Sequence, residues 1–172
     1  MSPHSFSILD KHFKENKLQY FLQCMLAALT LVAILFFLDV LTRTAIIAAL
    51  GSSAFTIFAL PKKYSADPRR LLGGYAVGMS LGILFSVCSS TFGLLSFIES
   101  ETTRLIICGS LAVGLSIFIM TMTNTEHAPA AGIALGLVLN PWDEVTLLFI
   151  VVALLWMATV RHLLKPWLIN LT

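Results

Sequence analysis

From Leu18 to Leu38 the chain runs without a charged residue. A helix through that stretch, rising ~1.5 Å per residue, is long enough to cross the ~30 Å hydrocarbon core of a bilayer. Further uncharged runs cover Leu71 to Ile98, Leu105 to Thr125 and Val145 to Val160. A soluble core helix needs one apolar stripe, whereas these segments are apolar all round. Only 12% of the residues are charged, against about 25% in a globular domain, and the mean hydropathy is +0.90. The expected fold is therefore all-α: a polytopic transmembrane bundle held in a lipid bilayer, with no nucleic-acid partner.

Six spans account for the pattern, at roughly 18–38, 44–60, 71–96, 104–122, 128–140 and 145–164. The first run is too long for a signal-peptide core and no small-x-small cleavage site follows it, so it reads as part of the mature chain. Asp10 and Glu15 argue against a transit peptide. The domain reading is an N-terminal tail 1–17, a membrane domain 18–164 and a C-terminal tail 165–172. With both tails in the cytoplasm, the inner segments hold Lys11, Lys14, Lys17, Lys62, Lys63, Arg69, Arg70, Arg161 and Lys165. The outer segments then hold only Arg43 and Arg104 of the 11 basic residues, alongside Asp39, Glu99, Glu101, Asp143 and Glu144. That bias is the positive-inside pattern, and it places the chain in a bacterial-type cytoplasmic membrane. Trp142 and Trp167 fall where indoles favour the interface.

Two spans depart from the rest. The second carries Gly51-Ser52-Ser53 near its middle. The fifth follows Thr121, Thr123, Asn124, Thr125, Glu126 and His127, and runs from Ala128 through Pro129 to Leu139 before Asn140-Pro141 closes it. Twelve residues make about 18 Å of helix, too short to cross alone. Superposing spans one to three on four to six matches Pro61 with Pro141 and Ser52 with Gly132, which suggests an inverted 3+3 repeat with interrupted second and fifth spans. Interruptions at matching places in two halves point to a transporter's binding site. A helix that begins inside the bilayer leaves its first N–H groups and the positive end of its dipole toward any anion. Ser52 and Ser53 suit an N-cap, and Pro129 suits the first turn. Two readings stay open for each feature. Gly51-Ser52-Ser53 is either a packing notch or part of a ligand site, and His127 either a structural cap or a ligand contact. Glu126 is either a surface carboxylate or a proton relay.

These residues resemble the HPP family of integral membrane proteins. The likeness runs from Ala48-Ala49-Leu50-Gly51-Ser52-Ser53-Ala54, through Pro61, Ser65-Ala66-Asp67-Pro68-Arg69-Arg70 and Gly73-Gly74, to Thr121-Met122-Thr123 and His127-Ala128-Pro129-Ala130. It covers roughly residues 45 to 140. Ala128 replaces the first proline of the His-Pro-Pro motif, Ala131 and Gly132 invert the expected Gly-Ala order, Ile133 stands where a threonine is usual, and Tyr75 where the family often has histidine. Members have been linked to nitrite transport across cyanobacterial and chloroplast membranes, so the resemblance implies nitrite or a similar small anion as substrate.

The leading expectation is a carrier for a small inorganic anion, with Gly51, Ser52, Ser53, Thr123, Asn124, His127 and Pro129 as the substrate-binding residues. An imidazole ordinarily titrates near physiological pH and could couple the anion to protons. The alternative is a non-transporting membrane partner or regulatory subunit. Convergence of Ser52, Asn124 and His127 in one cavity would separate the two. The stripe Gly74, Gly78 and Gly82 lets another helix approach closely, either within the chain or in a homo-oligomer. No enzyme is expected: there are no paired carboxylates within the spans, no nucleophile motif and no metal cluster, and no cofactor or metal is called for. Cys24, Cys88 and Cys108 read as buried small hydrophobes.

Overall fold

The structure, a computed structural model, describes residues 15–35, 44–90, 98 and 100–171. Lys11, Lys14, Asp39, Arg43 and Glu99, which entered the charge argument, lie outside the described residues, as do 36–38 and 91–96 of the first and third expected spans. The described residues form six helices: α1 (Lys17–Leu35), α2 (Thr44–Ala59), α3 (Pro68–Ser90), α4 (Glu101–Met122), α5 (Ala128–Leu139) and α6 (Glu144–Leu164), with a short 3-10 turn at Tyr64–Ala66. α3, α4 and α6 are long and apolar enough to cross a membrane; α2 and α5 are shorter apolar helices. In each half the middle helix is the shortest, α2 with 16 residues and α5 with 12.

Local chemistry sets the ends. Pro68 starts α3 because its missing N–H costs nothing in a first turn, and the Asp67 carboxylate accepts from the Arg69 N–H at 2.8 Å. Ser100 caps α4 through Thr103, and Asp143 forms a capping box with Thr146 at α6. These caps begin α3, α4 and α6 one to three residues before the expected spans. α4 stops in a Schellman turn: the Thr125 N–H reaches the Met120 carbonyl at 2.9 Å and the Asn124 N–H the Thr121 carbonyl at 3.4 Å. Asn124 takes the left-handed conformation this turn requires, φ 57°, which asparagine tolerates better than most residues.

α5 is the axis of the bundle, packed most extensively on α3 and then on α4 and α2. Pro129, Ala130, Ala131, Ile133, Ala134, Gly136, Leu137 and Val138 are all buried. The glycine stripe of α3 faces it. A Cβ at Gly78 would meet the Ala130 carbonyl oxygen at 2.3 Å, and one at Gly82 would meet the Ala134 backbone at 3.1 Å. The stripe thus serves packing within the chain, and self-association would need another face. Large apolar side chains point outward instead, among them Phe21, Leu29, Phe55, Ile106, Phe118, Leu148 and Val152. An exposed apolar mantle of this extent belongs against lipid. Of the three cysteines only Cys108 is buried in protein; Cys24 faces outward and Cys88 is half-buried, a correction to the expectation of three buried thiols.

The start of α1 and the C-terminal described residues meet on one face. The Tyr20 hydroxyl donates to the Leu171 carbonyl, Gln23 Nε2 donates to the Phe58 and Ile169 carbonyls at 2.6 and 2.9 Å, and the Leu171 N–H reaches the Ala59 carbonyl at 2.8 Å. Residues 165–171 therefore fold back onto the bundle, with Leu168 and Leu171 buried.

One expectation is overturned. α2 runs unbroken from Thr44 to Ala59, so no helix starts at Gly51-Ser52-Ser53 and neither serine is an N-cap. In lipid every backbone group needs a partner, and an intact helix supplies it more economically than a break does. The Thr56 hydroxyl even bonds back to the Ser52 carbonyl at 3.1 Å. The fifth segment behaves as expected: it begins at Ala128, follows a non-helical loop and spans 12 residues.

Candidate functional site

Gly73 and Gly74 open the wall of α3 for the loop that feeds α5. A Cβ at Gly73 would meet the Thr125 methyl at 2.6 Å, and one at Gly74 would meet His127 Cβ at 2.8 Å and the Thr125 carbonyl oxygen at 2.9 Å. Through that notch the extended backbone of His127 (φ −140°, ψ 97°) drops from the surface turn at Asn124 into the bundle. His127 comes level with Tyr75, some 7.5 Å along α3 from Arg70, and with Ser53, about 9 Å from the end of α2. The start of α5 is therefore sunk well below the ends of its neighbours.

Three polar side chains meet there. Ser53 Oγ lies 2.9 Å from His127 Nε2 and 2.7 Å from the Tyr75 hydroxyl, which also reaches toward the Ala49 carbonyl at 3.4 Å. The rings of Tyr75 and His127 lie 5.6 Å apart at 39°. Ser53 and Tyr75 are 0% exposed and His127 is 2% exposed. Two proton arrangements satisfy the cluster. In one, Tyr75 donates to Ser53 and Ser53 donates to Nε2. In the other, Nε2–H donates to Ser53 and Ser53 donates to Tyr75. In either arrangement Nδ1 has no hydrogen-bond partner among the described residues, although the Ser65 backbone is close by. A buried polar atom left unpaired costs free energy, so it marks a place where water or a ligand is favoured.

The first turn of α5 offers fewer amides than a free helix start does. Pro129 has no N–H, and the Ala130 N–H is bonded to the His127 carbonyl at 2.9 Å. Most of the polar character at this point thus comes from the side-chain cluster. His127 occupies the N-cap position of α5, although its side chain makes no capping hydrogen bond to the helix.

The other expected site residues scatter. Gly51 is half-buried with nothing within 4 Å of a Cβ there, and Ser52 is exposed, turned from Ser53 by the ~100° step between successive helix residues. Thr123 is exposed, bonding back to the Ile119 carbonyl and across to Thr125 at 2.8 Å each. Asn124 lies in the surface turn, where its Oδ1 accepts from the Tyr64 hydroxyl at 2.5 Å and from Arg70. Pro129 is buried in the first turn of α5. Ser52, Asn124 and His127 therefore do not converge; Ser53, Tyr75 and His127 do. Tyr75 was legible only as a departure from the family pattern. Arg70 and Ser116 were not singled out by sequence reasoning as site residues. Arg70 pairs with Glu126, and Ser116 on α4 is fully buried with its hydroxyl unpartnered among the described residues.

Ser116 lies about 9 Å along α4 from its Met122 end, at about the depth of the cluster. At the other end of the bundle a cavity of about 490 Å³ opens between the ends of α3, α4 and α5, lined by Ser86, Ser89, Ser90, Glu101, Arg104 and Asn140 among others. Polar groups thus recur along the bundle from Arg70 to Arg104. Among the described residues there is no group of histidine, cysteine and carboxylate side chains able to hold a metal.

The family profile described as HPP, transmembrane region, matches residues 13–170, nearly the whole chain. A transmembrane protein of Dictyostelium discoideum is 31% identical over 90 residues, 52% of this chain and 28% of that relative. The match thus spans little more than a quarter of the relative's length. No solved structure matches.

Proposed function

The chain belongs to the HPP transmembrane family, and on that premise we propose that it carries a small inorganic anion, nitrite foremost, across a bacterial-type cytoplasmic membrane. The observation that carries this reading is the buried His127, tied by Nε2 to Ser53 and left with a free Nδ1 at the sunken start of α5. An ionisable side chain at membrane depth is costly to keep, and a transport pathway is its usual reason. With Nε2 accepting from Ser53, Nδ1–H is a donor on the side of the Ser65 backbone, and the dipole of α5 adds positive potential at this end of the helix. Both favour a small anion over a cation. Ser116 adds a polar group at about the same depth, and the cavity beside Arg104 supplies a further polar stop toward the opposite face.

The site is closed in this structure, so passage requires the helices around α5 to part on one side and then the other. The face that carries both described chain ends also carries Lys17, Lys62, Lys63, Arg69 and Lys165, and we take it as cytoplasmic on the positive-inside rule.

The test is flux. Purified protein in liposomes loaded with a nitrite-sensitive reporter is expected to take up nitrite well above empty vesicles, with formate or nitrate competing. Uptake no faster than in empty vesicles for nitrite, nitrate and formate alike would leave the non-transporting partner subunit as the better account.

A further inference from the structure

We propose that Arg70 is a second anion-binding residue, and that the Glu126 carboxylate occupies it as a tethered stand-in which nitrite or a similar planar oxyanion displaces; this rests on the anion reading above. Arg70 sits in the first turn of α3 and is only 4% exposed, although it carries a full charge. Its guanidinium lies over the Tyr64 ring, 3.0 Å from the centroid. Nη1 donates to a Glu126 carboxylate oxygen and Nη2 to Asn124 Oδ1. The Tyr64 hydroxyl closes the set by donating to the same Asn124 oxygen at 2.5 Å. Arg70 is thus fixed on three sides by an aromatic plane, an amide and the helix it belongs to.

Its carboxylate partner is held differently. The Glu126 side chain is 43% exposed and stands on the irregular loop between α4 and α5. It can swing away without disturbing a helix, whereas Arg70 cannot. Of the planar guanidinium fork, Nη2 is held by Asn124 and Nη1 faces one Glu126 oxygen, so the Nη1 edge is the one an exchanging anion takes. Nitrite, a bent O–N–O anion, offers its two oxygens in nearly the pattern of the O–C–O of Glu126. The side chains that cover Arg70 are themselves exposed, so an anion from solution can reach the guanidinium when Glu126 swings aside. The incoming anion and the carboxylate then compete for one positive charge, which makes binding an exchange. Glu126 adjoins His127 in the chain, so an anion that takes its place at Arg70 stands at the entrance to the buried cluster.

The experiment is nitrite binding to the purified full chain in detergent, followed by calorimetry at constant ionic strength. Removing the tethered competitor in Glu126→Gln is expected to tighten nitrite binding by about tenfold, and Arg70→Lys, which loses the fork, to weaken it by about as much. Should Glu126→Gln fail to fold, Glu126→Asp keeps the charge on a shorter tether and is expected to tighten binding by a smaller factor. A purely structural ion pair predicts lower thermal stability in Glu126→Gln with an unchanged dissociation constant, and that result overturns the proposal. So does wild-type affinity in a folded Arg70→Lys, or no nitrite binding in either wild type or Glu126→Gln. The readout separates this inference from its parent: nitrite flux that persists with wild-type affinity in all Arg70 and Glu126 variants sinks the exchange site and leaves the carrier. Tightened binding in Glu126→Gln without any vesicle flux supports the exchange site and sinks the carrier.

Discussion

Replacing His127 with alanine is expected to lower nitrite uptake into liposomes by at least about tenfold, the loss of roughly 1.4 kcal/mol of stabilisation along the route, while the protein still inserts and elutes as one species. Alanine removes both ring nitrogens, the one bonded to Ser53 and the one left free for a ligand. Ser53→Ala removes the partner that fixes the ring, and is expected to cost about fivefold, the worth of one ordinary hydrogen bond of ~1 kcal/mol. Because the two side chains share that bond, the double variant should be little worse than His127→Ala alone. Tyr75→Phe keeps the Ser53–His127 pair and deletes only the outer hydroxyl, so its effect should be the smallest of the three. Fluorescence-detected size exclusion separates a loss of transport from a loss of fold. Full uptake by a well-folded His127→Ala protein would take the residue out of the mechanism, and the anion reading would lose its central observation.

Among the described residues most helix ends fell within one to three residues of the expected limits, because membrane helices announce themselves by composition and punctuation. Pro129 and Asn140-Pro141 bracket the fifth segment, and the observed α5, Ala128–Leu139, falls within the expected 128–140. The second span was likewise placed correctly at its ends, yet its interior was misread. Glycine and two serines in a row look like a break where water is available to reward one. Inside apolar surroundings the intact ladder of α2 wins, and the hydroxyl that matters, Ser53, is turned inward to a partner 74 positions away. No local pattern encodes that meeting. Arg70 shows the same limit from another side. It counted in the sequence as one more positive charge setting orientation, because nothing near it in the chain signals a carboxylate partner 56 positions on. Gly73 and Gly74, by contrast, could be noticed at once, but their purpose emerged only when Thr125 and His127 were found filling the space their missing side chains leave.

The axis role of α5 gives the second large effect. Gly78→Ala is expected to lower the thermal midpoint in detergent by roughly 5–10 °C, since overpacking a tight contact costs ~1–3 kcal/mol or more. The added Cβ would lie 2.3 Å from the Ala130 carbonyl oxygen, and backbone cannot rotate aside as a flexible side chain can. α3 and α5 must therefore separate. Ala130 stands three residues after His127, so the separation also loosens the Ser53–His127 bond and should slow uptake. Gly114→Ala is the control. It lies in α4, with nothing within 4 Å of the new methyl, and alanine is favoured over glycine in a helix interior by up to ~1 kcal/mol. The control should match or exceed wild-type stability. Were Gly78→Ala as stable as Gly114→Ala, the close seating of α5 on the α3 glycine stripe would be wrong, and with it the depth at which His127 enters the bundle.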